Sequence, residues 1–247
     1  MIITHAIWEK RNLGVDSNEI IIEKSDYDNL ELTKSMITGN TLEYTVVKVP
    51  AGMTEIMFVL EDMGFHFIEC MIRLSHDLKS HEKCFPESLK KIAARCSFRK
   101  MDEIELVDLF IKIRAGIFNT DRIYLDPYFD ENSAAERYIG WIQDAYKSGM
   151  GIYELSYNNK PMGFIQFSID EYSEARGTLI GIYRDNVIPG AGGLIYYTFL
   201  REIVTLGAKK IKHSYVSCNN PKSLRVHFAM GYQYEDSHYV YIKHILH

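Results

Sequence analysis

The stretch "VIPGAGGLIYYTFL", Val187 to Leu200, sets three glycines and a proline directly against a long apolar, aromatic segment. The strand-like "TLIGIY" (Thr178 to Tyr183) comes before it, and "LIYYTFLREIVTL" (Leu194 to Leu206) reads as a helix stopped by Gly207. A strand that empties through a glycine-rich loop into a helix makes an anion site. The first helical N–H groups lack internal partners, and the helix dipole adds an effective charge of about +0.5. Glycines let several such N–H groups converge without side-chain obstruction. On this reading Gly190, Ala191, Gly192, Gly193 and Leu194 hold a pyrophosphate. The other reading is a tight turn whose glycines serve steric ends only. The loop lacks the lysine and Ser/Thr of a P-loop, and it is not G-x-G-x-x-G.

The flanking segments follow a clear order. "GIYELSY" (Gly151 to Tyr157) and "PMGFIQFSI" (Pro161 to Ile169) enclose "NNK", a hairpin signal. "KIKHSYVS" (Lys210 to Ser217) reads as a strand and "PKSLRVHFAM" (Pro221 to Met230) as a helix with proline first. "YQYED" and "HYVYIKHIL" read as a closing strand pair. Upstream, "EIIIEK" (Glu19 to Lys24), "EYTVVKV" (Glu43 to Val49) and "FHFIECMIRL" (Phe65 to Leu74) are strand-like. "MTEIMFVLEDMGF" carries Ile56, Val59, Leu60 and Met63 at helical spacing. The polar run Ser75 to Lys91 reads as a linker, so residues 1–85 form a small α/β domain and residues 86–247 a second one. Two more helices are expected, one over Met101 to Gly116 with Ile104, Val107 and Ile111 as its stripe. The other runs from Ser133, its N-cap, to Gly149. No internal repeat stands out.

Bulk composition bounds the function. The chain has 247 residues, 47% hydrophobic and 25% charged, which is the balance of a folded globular protein rather than a disordered one. A net charge of −5 argues against a broad basic surface, so nucleic acid is not an expected partner. Cys70, Cys84, Cys96 and Cys218 form no C-x-x-C pair, so neither structural metal nor a disulfide framework is expected. The start, "MIITHAIWEK", has no signal-peptide pattern, and no apolar run approaches the ~20 residues of a membrane span. A cytoplasmic protein without a membrane partner is expected; a homodimer is compatible with these features.

The segment "NNPKSLRVHFAMGY" narrows the ligand. Asn220 heads a helix, with His227 seven and Gly231 eleven residues on. This resembles the GNAT acyl-CoA N-acetyltransferases, whose last quarter often reads N-x-x-A-x-x-x-Y-x-x-x-G-F. Ser223 stands at the alanine, His227 at the tyrosine and Gly231-Tyr232 at Gly-Phe. Gly190-Ala191-Gly192 is similar to that family's Q/R-x-x-G-x-G/A loop, with Val187 at the Q/R position. The resemblance implies a mixed, mostly antiparallel sheet flanked by helices and acetyl-CoA as cosubstrate. It implies a cofactor site of Gly190 to Leu194, Asn220 and the end of the preceding strand at Ile182 and Tyr183. It places His227 as the acid that protonates the departing thiolate; the alternative is that His227 only fills the tyrosine's space, with Tyr232, Tyr239 or Tyr241 as other sources of the phenol. "TLIGIY" holds no carboxylate base, so the amine's proton leaves through ordered water or a loop carboxylate, with Asp126, Asp170, Glu171 and Glu174 as candidates. Cys218 has no patterned activator, which favours direct attack over an acetyl-enzyme.

"WEKRNLGVDSNEI" (Trp8 to Ile20) and "DRIYLDPYFDENSAAERYIGWI" (Asp121 to Ile142) resemble segments of the bacterial TDP-fucosamine (dTDP-4-amino-4,6-dideoxygalactose) acetyltransferase group. That likeness implies an amino-sugar acceptor held by Asp121, Arg122 and Asp126, with Arg122 on its phosphate. The plainer alternative has the two aspartates cap turns while Tyr124, Tyr128 and Phe129 pack between domains. Other amines (aminoglycosides, polyamines, protein N-termini) and a non-catalytic acyl-CoA sensor stay open.

Overall fold

The computed structural model describes residues 1–79, 85, 87–185 and 188–245. The first run of elements is β1 (Ile2–His5), α1 (Ile7–Leu13), β2 (Ser17–Ile21), a 3-10 turn (Lys24–Asp28), α2 (Leu30–Gly39), β3 (Tyr44–Pro50), α3 (Thr54–Asp62) and β4 (His66–Asp77). Next come α4 (Glu87–Ala93), β5 (Cys96–Lys100), α5 (Glu103–Arg114), α6 (Arg122–Leu125) and α7 (Glu131–Lys147). The chain continues through β6 (Gly151–Tyr157), β7 (Lys160–Ile169), β8 (Glu174–Ile182), α8 (Ala191–Thr205), β9 (Lys210–Ser217), α9 (Pro221–Ala229) and β10 (Gln233–His244).

The ten strands among the described residues join one sheet in the order β1-β2-β3-β10-β4-β9-β8-β7-β6-β5. Only β2/β3 and β8/β9 run parallel; the other described neighbours are antiparallel. The succession β-α-β-α-β occurs twice, as β2-α2-β3-α3-β4 and as β8-α8-β9-α9-β10. The two units exchange their last strands. β4 pairs with β9, β10 pairs with β3, and β4 and β10 pair with each other at the centre. This repeat has no counterpart in sequence similarity; it is a repeat of topology.

Several segments differ from the sequence expectation. The closing strand pair is one strand, β10, irregular between Tyr234 and Asp236, and its partners are β3 and β4. The expected linker instead contributes the end of β4, to Asp77, and α4; residues 80–84 and 86 lie outside the described set. The stripe Ile104, Val107 and Ile111 faces solvent, because Leu106, Leu109 and Ile113 form a competing stripe at the same spacing and are the buried ones. The N-cap of α7 is Asp130, whose Oδ1 accepts from the N–H and hydroxyl of Ser133. The "NNK" hairpin is as read, with Asn158 and Asn159 at φ 49° and 63° in the left-handed region its tight turn needs.

Helices cover both faces. α8 presses Leu194, Ile195, Phe199, Leu200 and Ile203 onto one face, against Leu74, Ile165, Ile211 and Val216 of the strands, and α9 adds Leu224 and Val226. α5 and α7 cover the other face through Leu109, Ile113, Ile139 and Ile142. Among the described residues no helix is long and apolar enough to cross a membrane.

Leu74 of β4 is fully buried among residues of the second unit. Leu74→Ala is expected to lower the unfolding free energy by about 2–5 kcal/mol, measured as a lower urea midpoint at unchanged slope.

Candidate functional site

β8 and β9 begin as hydrogen-bonded neighbours and then part. Their parallel pairing covers only Glu174↔Lys210 and Ala175↔Ile211. Beyond this β8 pairs with β7 alone as far as Ile182, and β9 pairs with β4 alone as far as Ser217. His213 stands at the divergence with φ 56°, beside the irregularity between Leu74 and His76 in the β4/β9 ladder. A bulge of this kind re-aims a strand. The result is a wedge, open toward the C-terminal ends of both strands, whose walls are main chain without ladder partners.

The N-terminus of α8 stands at the mouth of that wedge. Gly190 is the N-cap, at φ 78°, a conformation that a side chain disfavours. Gly192 answers a second need, since a Cβ there would approach Val226 of α9 to 3.2 Å and Ile182 of β8 to 3.8 Å. Ala191 N–H is bonded to Ile188 and Leu194 N–H to Gly190, while the N–H groups of Gly192 and Gly193 have no acceptor among the described residues. Two free donors at a helix start, with no side-chain cap, fit a diphosphate by the chemistry of the donor set. Val187 lies outside the described residues.

β8 ends at Ile182, so the two residues expected at the cofactor part company. Ile182 packs with the α8 and α9 cluster, whereas Tyr183 is buried on the opposite face with α5 and α7. There Tyr183 donates to Glu154 at 3.5 Å and lies under Lys112, beside a cavity of about 150 Å³ lined also by Glu105 and Asp108. Asn220 caps α9, accepting from Ser223 N–H at 3.0 Å, with Pro221 at the first helical position.

His227 projects from α9 into the core and is 3% exposed. Its Nδ1 is 2.9 Å from the Ser223 carbonyl, which can only accept, so Nδ1 carries the proton. Nε2 then accepts from Tyr196 at 3.2 Å, with Ser214 at 3.4 Å. Tyr196 and Tyr232 both meet the ring edge-on. Burial pulls its pKa down to about 4, against which the Ser223 bond acts only weakly. The ring is neutral near pH 7.

Across the sheet, α1, α6 and α7 roof a buried polar chamber. Glu9 takes hydrogen bonds of 2.6 to 2.9 Å from Arg137 and one of 3.3 Å from Arg122. Arg137 also lies 3.9 Å above the Trp141 ring. Burial disfavours the Arg122 charge, yet Tyr44, Glu9, Glu19 and Glu69 outweigh it and raise its pKa. Asp121 caps α6 with one oxygen, accepting from Ile123 and Tyr124. Asp126 accepts from Tyr128 N–H and sits 2.8 Å from His244. Arg122 Nε, the Tyr44 hydroxyl and Asp121 Oδ2 are buried without a hydrogen-bond partner among the described residues. Burial raises the Tyr44 phenol to about 12. The sequence reading named Asp121, Arg122 and Asp126, and missed Glu9, Glu69, Tyr44 and Arg137. The only available signal for these was the "WE" of the N-terminal segment.

Of the remaining carboxylate candidates, all distant from this chamber in the chain, two are engaged. Asp170 orders its own turn and pairs with Arg176, and Glu174 pairs with Lys212. Glu171 is exposed. Cys218 lies beside Cys70, its N–H donating to the Cys70 carbonyl at 2.8 Å; burial, with Cys218 adding to it, pushes the Cys70 thiol up to about 11. Among the described residues no group of His, Cys, Asp and Glu is placed to hold a metal ion.

No protein-family model matches the chain, and no curated protein matches it by sequence. Solved structures do match in shape. A GCN5-related N-acetyltransferase from Sphaerobacter thermophilus aligns with TM-score 0.63 at 11% identity, over 92% of this chain and 73% of that one. A functionally unknown conserved protein from Staphylococcus epidermidis aligns with TM-score 0.58 at 12% identity, over 94% and 85%. A fungal GCN5-related glucosamine N-acetyltransferase region aligns with TM-score 0.61 at 10% identity, over 93% of this chain and 30% of its multi-domain parent. At such identities the likeness is one of fold: the mixed, mostly antiparallel sheet flanked by helices is a GNAT-type fold.

The neutral, buried His227 makes stability depend on pH. Its folded pKa of about 4 lies below the unfolded ~6.5, so the unfolded chain binds the extra proton between these values. Its contribution is complete above about pH 6.5 and is lost as pH falls toward 4, by roughly 3 kcal/mol. Denaturation midpoints from pH 7 to 4 are expected to fall less steeply in His227→Phe than in the parent.

Proposed function

We propose that the chain is an acetyl-CoA-dependent N-acetyltransferase, passing acetyl to the amine of a small acceptor by direct attack on the thioester. One observation carries this reading: the β8/β9 wedge opens beside a helix start whose Gly192 and Gly193 N–H groups have no acceptor among the described residues. Gly190, Ala191, Gly192, Gly193 and Leu194 would take the pyrophosphate. Ile182 and Asn220 would flank the pantetheine arm where the strands part. Acetyl-CoA supplies an activated acyl group; the protein binds it, excludes water and manages protons.

The acceptor is proposed to enter from the face roofed by α6 and α7, where Arg122, Asp121 and Asp126 gather. A nucleotide-linked amino sugar is the favoured acceptor. It is supported by the N-terminal and Asp121 to Ile142 segments, and the fungal region named for glucosamine offers an amino-sugar parallel within the fold. Arg122 suits a phosphate, and the Asp121 carboxylate suits a hydroxyl or an ammonium. A cytoplasmic location belongs to the same proposal.

His227 is the proposed leaving-group acid, with a narrow pH range. A ring with pKa near 4 holds little proton at pH 7, and a thiol of pKa ~8.5 asks little of an acid. His227→Phe is therefore expected to keep the turnover rate within about tenfold at pH 7–8, less than the usual effect of losing a general acid.

The decisive assay mixes protein, acetyl-CoA and an amine panel and follows thiol release. Turnover on an amino sugar supports the full proposal; turnover on another amine keeps the chemistry and changes the acceptor. Calorimetric binding of acetyl-CoA with no turnover on any amine marks a sensor, and absence of binding sinks both. Gly192→Val, which fills the space against Val226 and Ile182, is expected to weaken coenzyme A at least about tenfold, worth ~1.4 kcal/mol.

A further inference from the structure

Three carboxylates are almost wholly buried among the described residues: Glu9, Asp126 and Glu69. Glu9 is held by Arg137 and Arg122, and Asp126 by His244. Glu69 differs. It is 3% exposed, yet it makes no hydrogen bond or ion pair with any described residue. Its oxygens are also absent from the sealed, unpartnered polar atoms, so they reach a water-accessible opening. A carboxylate withdrawn from water without a cation at contact distance is costly, and a cationic ligand offsets that cost.

The position of Glu69 says which cation. Two residues on, Met71 packs under α6 and α7 with Ile123 and Ala134, so Glu69 shares that face. It lies within electrostatic reach of Arg122, Lys48 and Tyr138. Met71 is opposite Ser217 in β9, which sets Glu69 level with Asn219, whose side chain donates to the Ile68 carbonyl at 3.3 Å. Glu69 thus stands at the wide end of the wedge, one strand behind its β9 wall.

Building on the proposed acetyl transfer, we infer that Glu69 receives the acceptor's ammonium group and removes its proton, directly or through one water. The carboxylate takes H⁺ from R–NH₃⁺, leaving R–NH₂ with its lone pair. That nitrogen forms the C–N bond to the thioester carbonyl and the C–S bond breaks, its electron pair leaving on the coenzyme A sulfur. The nitrogen's second proton and the one on Glu69 pass to solvent, and the thiolate takes one back through His227, the leaving-group acid proposed above. The base missing from "TLIGIY" is thereby supplied by the first unit, through the strand it lends to the second.

The test compares parent, Glu69→Gln and Glu69→Asp, each checked for folding by near-UV circular dichroism. Acetyl-CoA is titrated into all three; turnover is then measured on glucosamine, spermidine, kanamycin and a peptide N-terminus across pH 5–9. Expected are equal acetyl-CoA affinities and a kcat loss of about 100-fold or more in Glu69→Gln. The rise of rate with pH should flatten, and Glu69→Asp should recover part of the rate. Equal rates in parent and Glu69→Gln overturn the role of Glu69 and leave the transferase standing. Acetyl-CoA binding to the parent without turnover of any amine overturns both, and absence of that binding overturns the transferase reading on which this rests. A Glu69→Gln chain that loses its native spectrum, with Glu69→Asp native and as fast as the parent, also overturns the inference, since a base one methylene farther away should be slower.

Discussion

A β-strand has two edges, and the way β9 uses them governs this molecule. One edge is committed to β4 from Lys210 to Ser217; the other meets β8 at two positions only. Because β4 itself is anchored by a long ladder to β10, β9 is held along a line that β8 does not follow. The gap cannot close by sliding, since a one-residue slip would turn Ile211, Ser214 and Val216 away from the core they enter. Val226 and Ile182 fill the space next to Gly192 and hold α9 and α8 apart at the mouth. The opening is a consequence of pairing elsewhere.

The first unit shows what happens without that constraint. Its parallel pair, β2 and β3, stays in register over five positions, from Ser17↔Tyr44 to Ile21↔Lys48, and no gap forms. The connection after β2 is chemically opposite to the glycine loop. Glu23 and Asp26 converge there on the N-terminal ammonium of Met1, making an acidic turn instead of an anion cradle. One topology thus serves in one place as framework and in the other as the frame of the proposed site. The framework half also contributes, since Glu9, Glu19, Tyr44, Lys48 and Glu69 all come from it.

Legibility in the sequence followed the range of the interactions. The glycine loop, α8, β9 and the Asn220 cap are set by neighbours within a few residues, and their patterns were readable. α5 was readable as a helix but not in orientation, because two apolar stripes compete and only tertiary packing selects Leu106, Leu109 and Ile113. The exchange of β4 and β10 was invisible, since partners such as Met71 and Ser217 carry no local mark of one another. For the same reason the base candidates legible in the sequence, Asp126, Asp170, Glu171 and Glu174, all lie after β4 in the chain. Glu69 sits in "FHFIECMIRL", where it reads as the polar member of an ordinary strand.

The lent strand also sets the timetable of assembly. β4 is complete at Asp77, but its two partners are β9, from Lys210, and β10, which ends at His244. At ribosomal speeds of about 5–20 residues per second, β4 waits roughly 10–30 seconds with both edges bare. Contacts of such long sequence separation make for slow folding, and exposed edges invite pairing with other chains. The nascent chain therefore carries two unpaired strand edges until its last strand emerges.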